Sequence, residues 1–253
     1  MRKLIIFALL INVCVLHAAA PPGPPSEAPS GEEILERIDN NFYAENRVSI
    51  SSMIIRGVRG TRTIKAKSWV QGMDKAFTEY LSPAREKGTK MLKIKGELWT
   101  WSPSTDRIIR IAGHMLRQSL MGSDVSYEDF MEDPELSNIY NARVTGEETI
   151  DGRPCYLLEL KAKKSEVSYY SKKFWVDKER YVPLRQDWFA KAGKLLKTVV
   201  IHEVFKVENR WYPRRMTFRD VLKKGSGTEF IIESIDFNVE IPEHIFSKAS
   251  LRR

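Results

Sequence analysis

Cysteine and histidine are scarce, with two and four copies in 253 residues. Cys14 falls in an N-terminal apolar run, which leaves Cys155 alone in the body of the chain. Neither an intrachain disulfide nor a cysteine-based zinc site can then form. Cys155 sits in Pro154-Cys155-Tyr156-Leu157-Leu158 and reads as a small buried hydrophobe. His114, His202 and His244 are far apart and share no ligand spacing. A Gly-x-Ser-x-Gly elbow and a phosphate-cradling glycine loop are both missing, so neither a cofactor nor a metal centre is expected. Ser123, Ser126 and His114 are close in sequence, but a nucleophile needs an oriented base, which proximity does not supply. Asp124, Ser126, Glu128, Glu132 and Glu135, with the Phe130 carbonyl, fall at the offsets of a calcium loop, yet Asp129 stands where such a loop requires glycine. Helix capping explains the same residues.

Long apolar runs are also lacking. The one apolar stretch, Leu4 to Leu16, is shorter than the ~20 residues a membrane helix needs. Arg2-Lys3 precedes it and Ala18-Ala19-Ala20 follows, the pattern of a secretory signal peptide over residues 1–20. Residues 21–29, opening Pro21-Pro22-Gly23-Pro24-Pro25, read as a linker. Export is therefore expected, with tethering to a membrane left open. The formal charge of +8 would suggest nucleic acid inside a cell. In an exported chain an anionic membrane surface is the expected partner instead.

With 42% hydrophobic and 29% charged residues, the remainder can build a core and stay soluble. Ser30 and Glu33 have capping-box spacing, and Ile34, Leu35, Ile38 and Phe42 follow at helical intervals, so one amphipathic helix opens the domain. The period then changes to two. Strand-like runs are 48–58, 62–71, 75–81, 89–95, 98–101 and 107–111, then 142–150, 153–163, 169–177, 182–190, 195–207, 211–221 and 228–237. Short polar punctuation such as Asp151-Gly152 makes neighbouring runs antiparallel. Between Gly113 and Asn141 the alternation breaks into a helical excursion. A meander of strands interrupted once describes a barrel, a half-barrel or a large curved sheet.

Many strands place apolar residues on one face, and such a face must be covered. One helix and one helical excursion are little cover for so many strands. Either the sheet curls and fills its interior with side chains, or it leaves a cavity for an apolar ligand.

Three blocks then carry a family likeness: Ser82-Pro83-Ala84-Arg85-Glu86-Lys87-Gly88-Thr89-Lys90-Met91-Leu92, Leu98-Trp99-Thr100-Trp101-Ser102-Pro103 and Met121-Gly122-Ser123-Asp124-Val125-Ser126-Tyr127-Glu128-Asp129-Phe130. With the ending Val239-Glu240-Ile241-Pro242-Glu243-His244-Ile245-Phe246, the chain from about Glu32 onward resembles the LolA-like, outer-membrane lipoprotein-sorting-related family. The resemblance implies a mainly β domain over 30–253: one strongly curved, unclosed antiparallel sheet, a half-barrel, with helices across its mouth. It further implies a non-enzymatic periplasmic carrier that holds acyl chains of lipids or lipoproteins in its concave face and meets a membrane surface, a lipid exporter or an acceptor. An arginine is associated with gating in the family's lipoprotein chaperone; no counterpart is assigned among Arg56, Arg59 and Arg62. The expected lining is Phe77, Leu92, Ile94, Trp99, Trp101, Ile109, Ile111, Phe174, Val176, Met216 and Phe218, with Met115, Leu116 and Phe130 in the lid. The rival readings are a lipid hydrolase, calcium-assisted, that uses the same groove, and an envelope-assembly module whose interior is filled.

Overall fold

A computed structural model describes residues 28–57, 60–132 and 135–252. The expected leader and most of the proline-rich segment lie outside the described residues. Helix α1 (Gly31–Phe42) is capped as its sequence requires. Ser30 Oγ accepts from Glu33 N at 3.2 Å while Glu33 Oε2 accepts from Ser30 N at 2.7 Å. Its apolar stripe, Ile34, Leu35 and Ile38, is fully buried. Gly31 starts the helix because nothing larger fits: a Cβ there would lie 2.5 Å from the Ala142 carbonyl oxygen.

Strands β1 (Asn46–Gly57), β2 (Gly60–Gln71), β3 (Lys75–Ser82), β4 (Lys90–Ile94), β5 (Glu97–Ser102) and β6 (Arg107–Ile111) form a first antiparallel meander. Strands β7 (Tyr140–Ile150), β8 (Arg153–Ala162), β9 (Ser171–Asp177), β10 (Pro183–Phe189), β11 (Leu195–Val207), β12 (Arg210–Asp220) and β13 (Thr228–Phe237) form a second. At the Asp151-Gly152 turn both residues have positive φ, 47° and 76°, the conformation that a two-residue hairpin matching the strand twist demands. Pairing of β1 with β13 joins the meanders into one 13-stranded sheet in the order β6-β5-β4-β3-β2-β1-β13-β12-β11-β10-β9-β8-β7. The sheet is not closed into a barrel. Its two edges, β6 and β7, are therefore consecutive in sequence, and the excursion expected between Gly113 and Asn141 links them. That excursion holds 3-10 turns at Gly113–Arg117 and Leu120–Gly122 and short helices α2 (Tyr127–Met131) and α3 (Leu136–Ile139).

Both faces of the sheet are covered over part of their area. On the concave side α1 packs against Tyr140, Leu158, Leu160 and Phe174, and the excursion packs Leu120, Val125, Met115 and Phe130 against Met53, Ile64, Tyr80, Met91 and Leu98. On the convex side the C-terminal stretch, with 3-10 turns at Glu243–Phe246 and Lys248–Arg252, lays Ile241, Phe246 and Leu251 over Phe77, Leu92 and Trp99. Further along the convex face Trp175 is shielded by the Lys173 and Arg185 side chains, 4.8 and 4.5 Å from its ring. Among the described residues no helix is long and apolar enough to cross a membrane.

Candidate functional site

Strand register decides what faces inward. Across β13, β1, β2 and β3 the partners Ile232–Ser51–Ala66–Tyr80 share the concave face, and the next row runs Arg47–Val70–Ala76–Lys93 from β1 to β4. With Ser49, Ser68 and Thr78 between them, this half of the concave face is built largely from small side chains. Opposite, β9 to β13 contribute Phe174, Trp188, Val199, Met216, Phe218 and Phe230. Between these walls lies a cavity of about 460 Å³, whose lining on the β1–β4 side includes Arg47, Val70, Gly72, Met73, Ala76 and Lys93. It lies within the ~300–1,000 Å³ usual for small-molecule sites. Ile38 and Phe42 of α1 and Leu120, Val125, Phe130 and Leu136 of the excursion complete it.

The excursion is held down at several points. Arg62 of β2 donates from Nη2 to the Met121 carbonyl. Asp124 accepts from Thr228 Oγ1 at 2.7 Å and from Asp220 N at 3.1 Å, and Lys223 Nζ donates to the Ser123 carbonyl at 2.7 Å. Asp39 of α1 caps the start of α3, accepting from Leu136 N and Ser137 N at 2.9 Å each. Burial nevertheless pushes the Asp39 carboxyl above its ordinary value.

One side of the cavity is charged, and the sequence reading missed it. Lys172, Trp188 and Lys197 are lateral neighbours on β9, β10 and β11, all facing inward. The lysines are 2% and 4% exposed. Lys172 Nζ lies 2.6 and 2.8 Å from the two Glu132 oxygens and 4.2 Å from the centre of the Trp188 ring, with the Tyr140 and Tyr169 rings at 5.2 and 5.5 Å. Lys197 pairs with Asp129, which also accepts from the Tyr169 hydroxyl at 2.6 Å. The Tyr140 hydroxyl donates to the Tyr169 carbonyl at 2.9 Å and lies 3.2 Å from Glu132 Oε1. Burial and the adjacent carboxylate push both phenols above their ordinary range. A sequence signal for this cluster existed: Lys172 alternates with Phe174 and Val176, and Lys197 with Val199 and Ile201, a lysine on an otherwise apolar face.

Of the expected lining residues, the cavity brings together Phe130, Phe174, Met216 and Phe218. Ile111, Met115 and Leu116 belong to the concave cluster beneath the excursion, and Val176 to the concave cluster around α1, without lining the cavity. Ile109 shares the concave face by register but sits on edge strand β6 and is 44% exposed. For Phe77, Leu92, Ile94, Trp99 and Trp101 the expected concave placement is corrected: all five belong to the convex cluster under the C-terminal turns. The face was inverted in β3 to β5 because the larger apolar side chains of these strands lie on the face that the C-terminal stretch covers.

The acidic run does not converge. Asp124 binds Thr228 and Asp220 N, Ser126 caps α2, Asp129 pairs with Lys197 and Glu132 with Lys172. Among the described residues no group of three or more His, Cys, Asp or Glu side chains could hold a metal ion. Ser123 Oγ donates to the Val125 carbonyl at 3.1 Å, and the Ser126 hydroxyl accepts from Asp129 N at 3.3 Å.

A family model described as "Uncharacterized protein" matches residues 72–253. No curated protein matches the sequence. Among solved structures, a DUF1329 family protein from Desulfovibrio piger is 24% identical with a TM-score of 0.78, over 87% of this chain and 97% of that one. A candidate outer membrane lipoprotein-sorting protein domain from Vibrio parahaemolyticus is 23% identical with a TM-score of 0.74, over 88% and 98%. A LolA superfamily protein from Nitrosomonas europaea is 22% identical with a TM-score of 0.72, over 88% and 100%. At these identities the likeness is one of fold.

Proposed function

This chain belongs to the family whose model matches residues 72–253 and shares the fold of LolA-superfamily and lipoprotein-sorting structures, and from that premise we propose that it is a periplasmic carrier for acyl chains of lipids or lipoproteins. One observation carries the reading: a largely apolar cavity between the concave sheet and a covering segment that is held by apolar packing and by a limited set of polar contacts. An acyl chain crossing water exposes methylenes at about 0.8 kcal/mol each, so a chain of a dozen or more needs shielding on the order of 10 kcal/mol. A dry cavity supplies that shielding. A covering segment that can lift is the route by which the cargo would leave.

The charge distribution suits a membrane surface as donor or acceptor. The turns after β8, β10 and β12 leave the same end of the sheet and present exposed Lys163, Lys164, Lys191, Lys194, Lys223 and Lys224, with Leu222 beside them 62% exposed. Cations near an anionic surface contribute about 1 kcal/mol each. The test is organic extraction of the purified protein followed by lipid identification, with titration of a fluorescent fatty acid. Recovery of acyl lipid and saturable binding are expected; an empty extract with no probe binding overturns the proposal.

A further inference from the structure

Resting on the carrier reading, we infer that Lys172 and Lys197, on either side of Trp188, seat an oxyanion carried by the acyl cargo, and that Glu132 and Asp129 occupy its place when no cargo is bound. The first ground is cost. Burying a charge is expensive, and replacing a buried ion pair by apolar residues of similar size is commonly neutral or stabilising. A cavity that received only hydrocarbon would be better walled with leucine.

The second ground is which element holds which sign. Both cations stand on the sheet, in β9 and β11, and both carboxylates ride on the covering segment, in α2 and just after it. Any displacement of that segment that admits cargo parts both pairs at once. It leaves two ammonium groups, on strands about 10 Å apart across the intervening β10, in a setting of low polarity. Only another anion restores the balance.

The third ground is geometry. Apart from the Ser126 N–H, which caps Asp129 within its own segment at 2.7 Å, the groups that serve the carboxylates are donors fixed on the sheet side: two ammoniums and the Tyr169 phenol, with the Tyr140 phenol within 3.2 Å of Glu132. A phosphate or fatty carboxylate accepts from the same set. Asp129, Glu132, Lys172 and Trp188 line the acyl cavity itself, so an anion seated there has its hydrocarbon continuing along Phe174 and Met216. The remaining charged side chains on the concave part of its lining, Arg47 and Lys93, are both positive.

The shared chemistry is an oxyanion at the end of a hydrocarbon chain, whether phospholipid phosphate or fatty carboxylate. The full chain is titrated by native mass spectrometry with two matched pairs: oleate against oleyl alcohol, and dioleoylphosphatidylglycerol against dioleoylglycerol. At least one anion is expected to bind about tenfold or more tighter than its neutral partner, as charged hydrogen bonds warrant. A preference confined to one pair supports the site and names the source of the anion. The Lys172→Met/Lys197→Met variant should lose the preference, read as the ratio of charged to neutral affinity within each pair, and a preference retained in the folded variant overturns the inference. Should that variant fail to fold, Lys172→Met/Glu132→Met removes both charges of one pair and should reduce the preference without abolishing it, because Lys197 remains. Equal binding of charged and neutral members by the unaltered chain overturns the inference while leaving the carrier reading intact. Binding of none of the four overturns both.

Discussion

Substituting Ala76 by phenylalanine should abolish acyl binding without harming the fold. Ala76 lies on the concave face of β3 with its methyl group on the cavity wall, between Val70 and Lys93 in register. A benzyl group in place of that methyl adds six carbons to space the cargo would use. At about 0.8 kcal/mol per methylene displaced, the loss reaches about 5 kcal/mol, or more than three orders of magnitude in affinity, if the chain cannot reroute. Stability should hold or rise slightly, because the new ring enters empty space. The control is Leu92→Ala on the opposite face: Leu92 is fully buried between Phe77 and Trp99, and truncation there should cost about 2–5 kcal/mol of stability. Its affinity per folded molecule should be unchanged. Fluorescent fatty-acid titration and urea denaturation of both variants read the two quantities separately. Wild-type affinity in folded Ala76→Phe, or lost affinity in folded Leu92→Ala, would refute the assignment of faces.

Arg62→Gln removes a charged donor from the Met121 carbonyl, so amide exchange across Leu120 to Val125 should accelerate about tenfold to a hundredfold, from the ~1.5–3 kcal/mol such a bond contributes; unchanged exchange would show that Arg62 does not hold the segment. Deleting residues 239–253 uncovers Phe77, Leu92 and Trp99, a loss of about 5–9 kcal/mol against a typical stability of ~5–15 kcal/mol. The truncated chain should be insoluble or unfold at much lower urea, and an unaltered urea midpoint would contradict the packing. Asp177 is buried, which alone would raise its pKa, but Arg153, Arg180 and the Glu179 and Arg180 amides hold it at about 2. A depressed carboxyl stabilises the fold above its unfolded pKa and loses that contribution as pH falls through the folded value. The wild type should therefore lose about 2 kcal/mol between pH 4 and pH 2 that Asp177→Asn lacks, and parallel acid titrations of the two would sink this account.

Most strands were readable because the alternation is strong and the turns carry glycine, aspartate or asparagine at the right places. Facing was less readable. In β4, Met91 and Leu92 point to opposite faces and both are almost completely buried, so alternation cannot tell inside from outside where both faces are covered. The second cover is the C-terminal stretch from Ile241 to Leu251, whose scattered apolar residues show no period. Lys172 and Lys197 escaped notice because lysine is normally a solvated residue. Their counter-charges were noticed, but as cap and calcium-loop residues. Sequence spacing could not show that Asp129 and Glu132 reach lysines 68 and 40 residues away.

Having the sheet edges fall at β6 and β7 constrains how such a molecule can open. Closure into a barrel would require these strands to pair, and neither is built for it. β6 is five residues long with Arg107 and Arg110 exposed, and β7 carries exposed Arg143, Glu147 and Glu148, devices that discourage edge pairing. The gap is spanned by covalent chain instead, so the segment that lies over the cavity is anchored at both margins of the opening. Such a segment cannot leave; it can only lift between its ends. Lifting parts Leu120, Val125 and Phe130 from the concave cluster and separates two ion pairs whose cations stay behind. Each buried charge left unpaired costs about 3–5 kcal/mol, a cost that on the inference above would hold an empty molecule shut. Cargo that brings its own anion removes that cost. Opening would then be coupled to loading by charge balance, with no need for the strands themselves to rearrange.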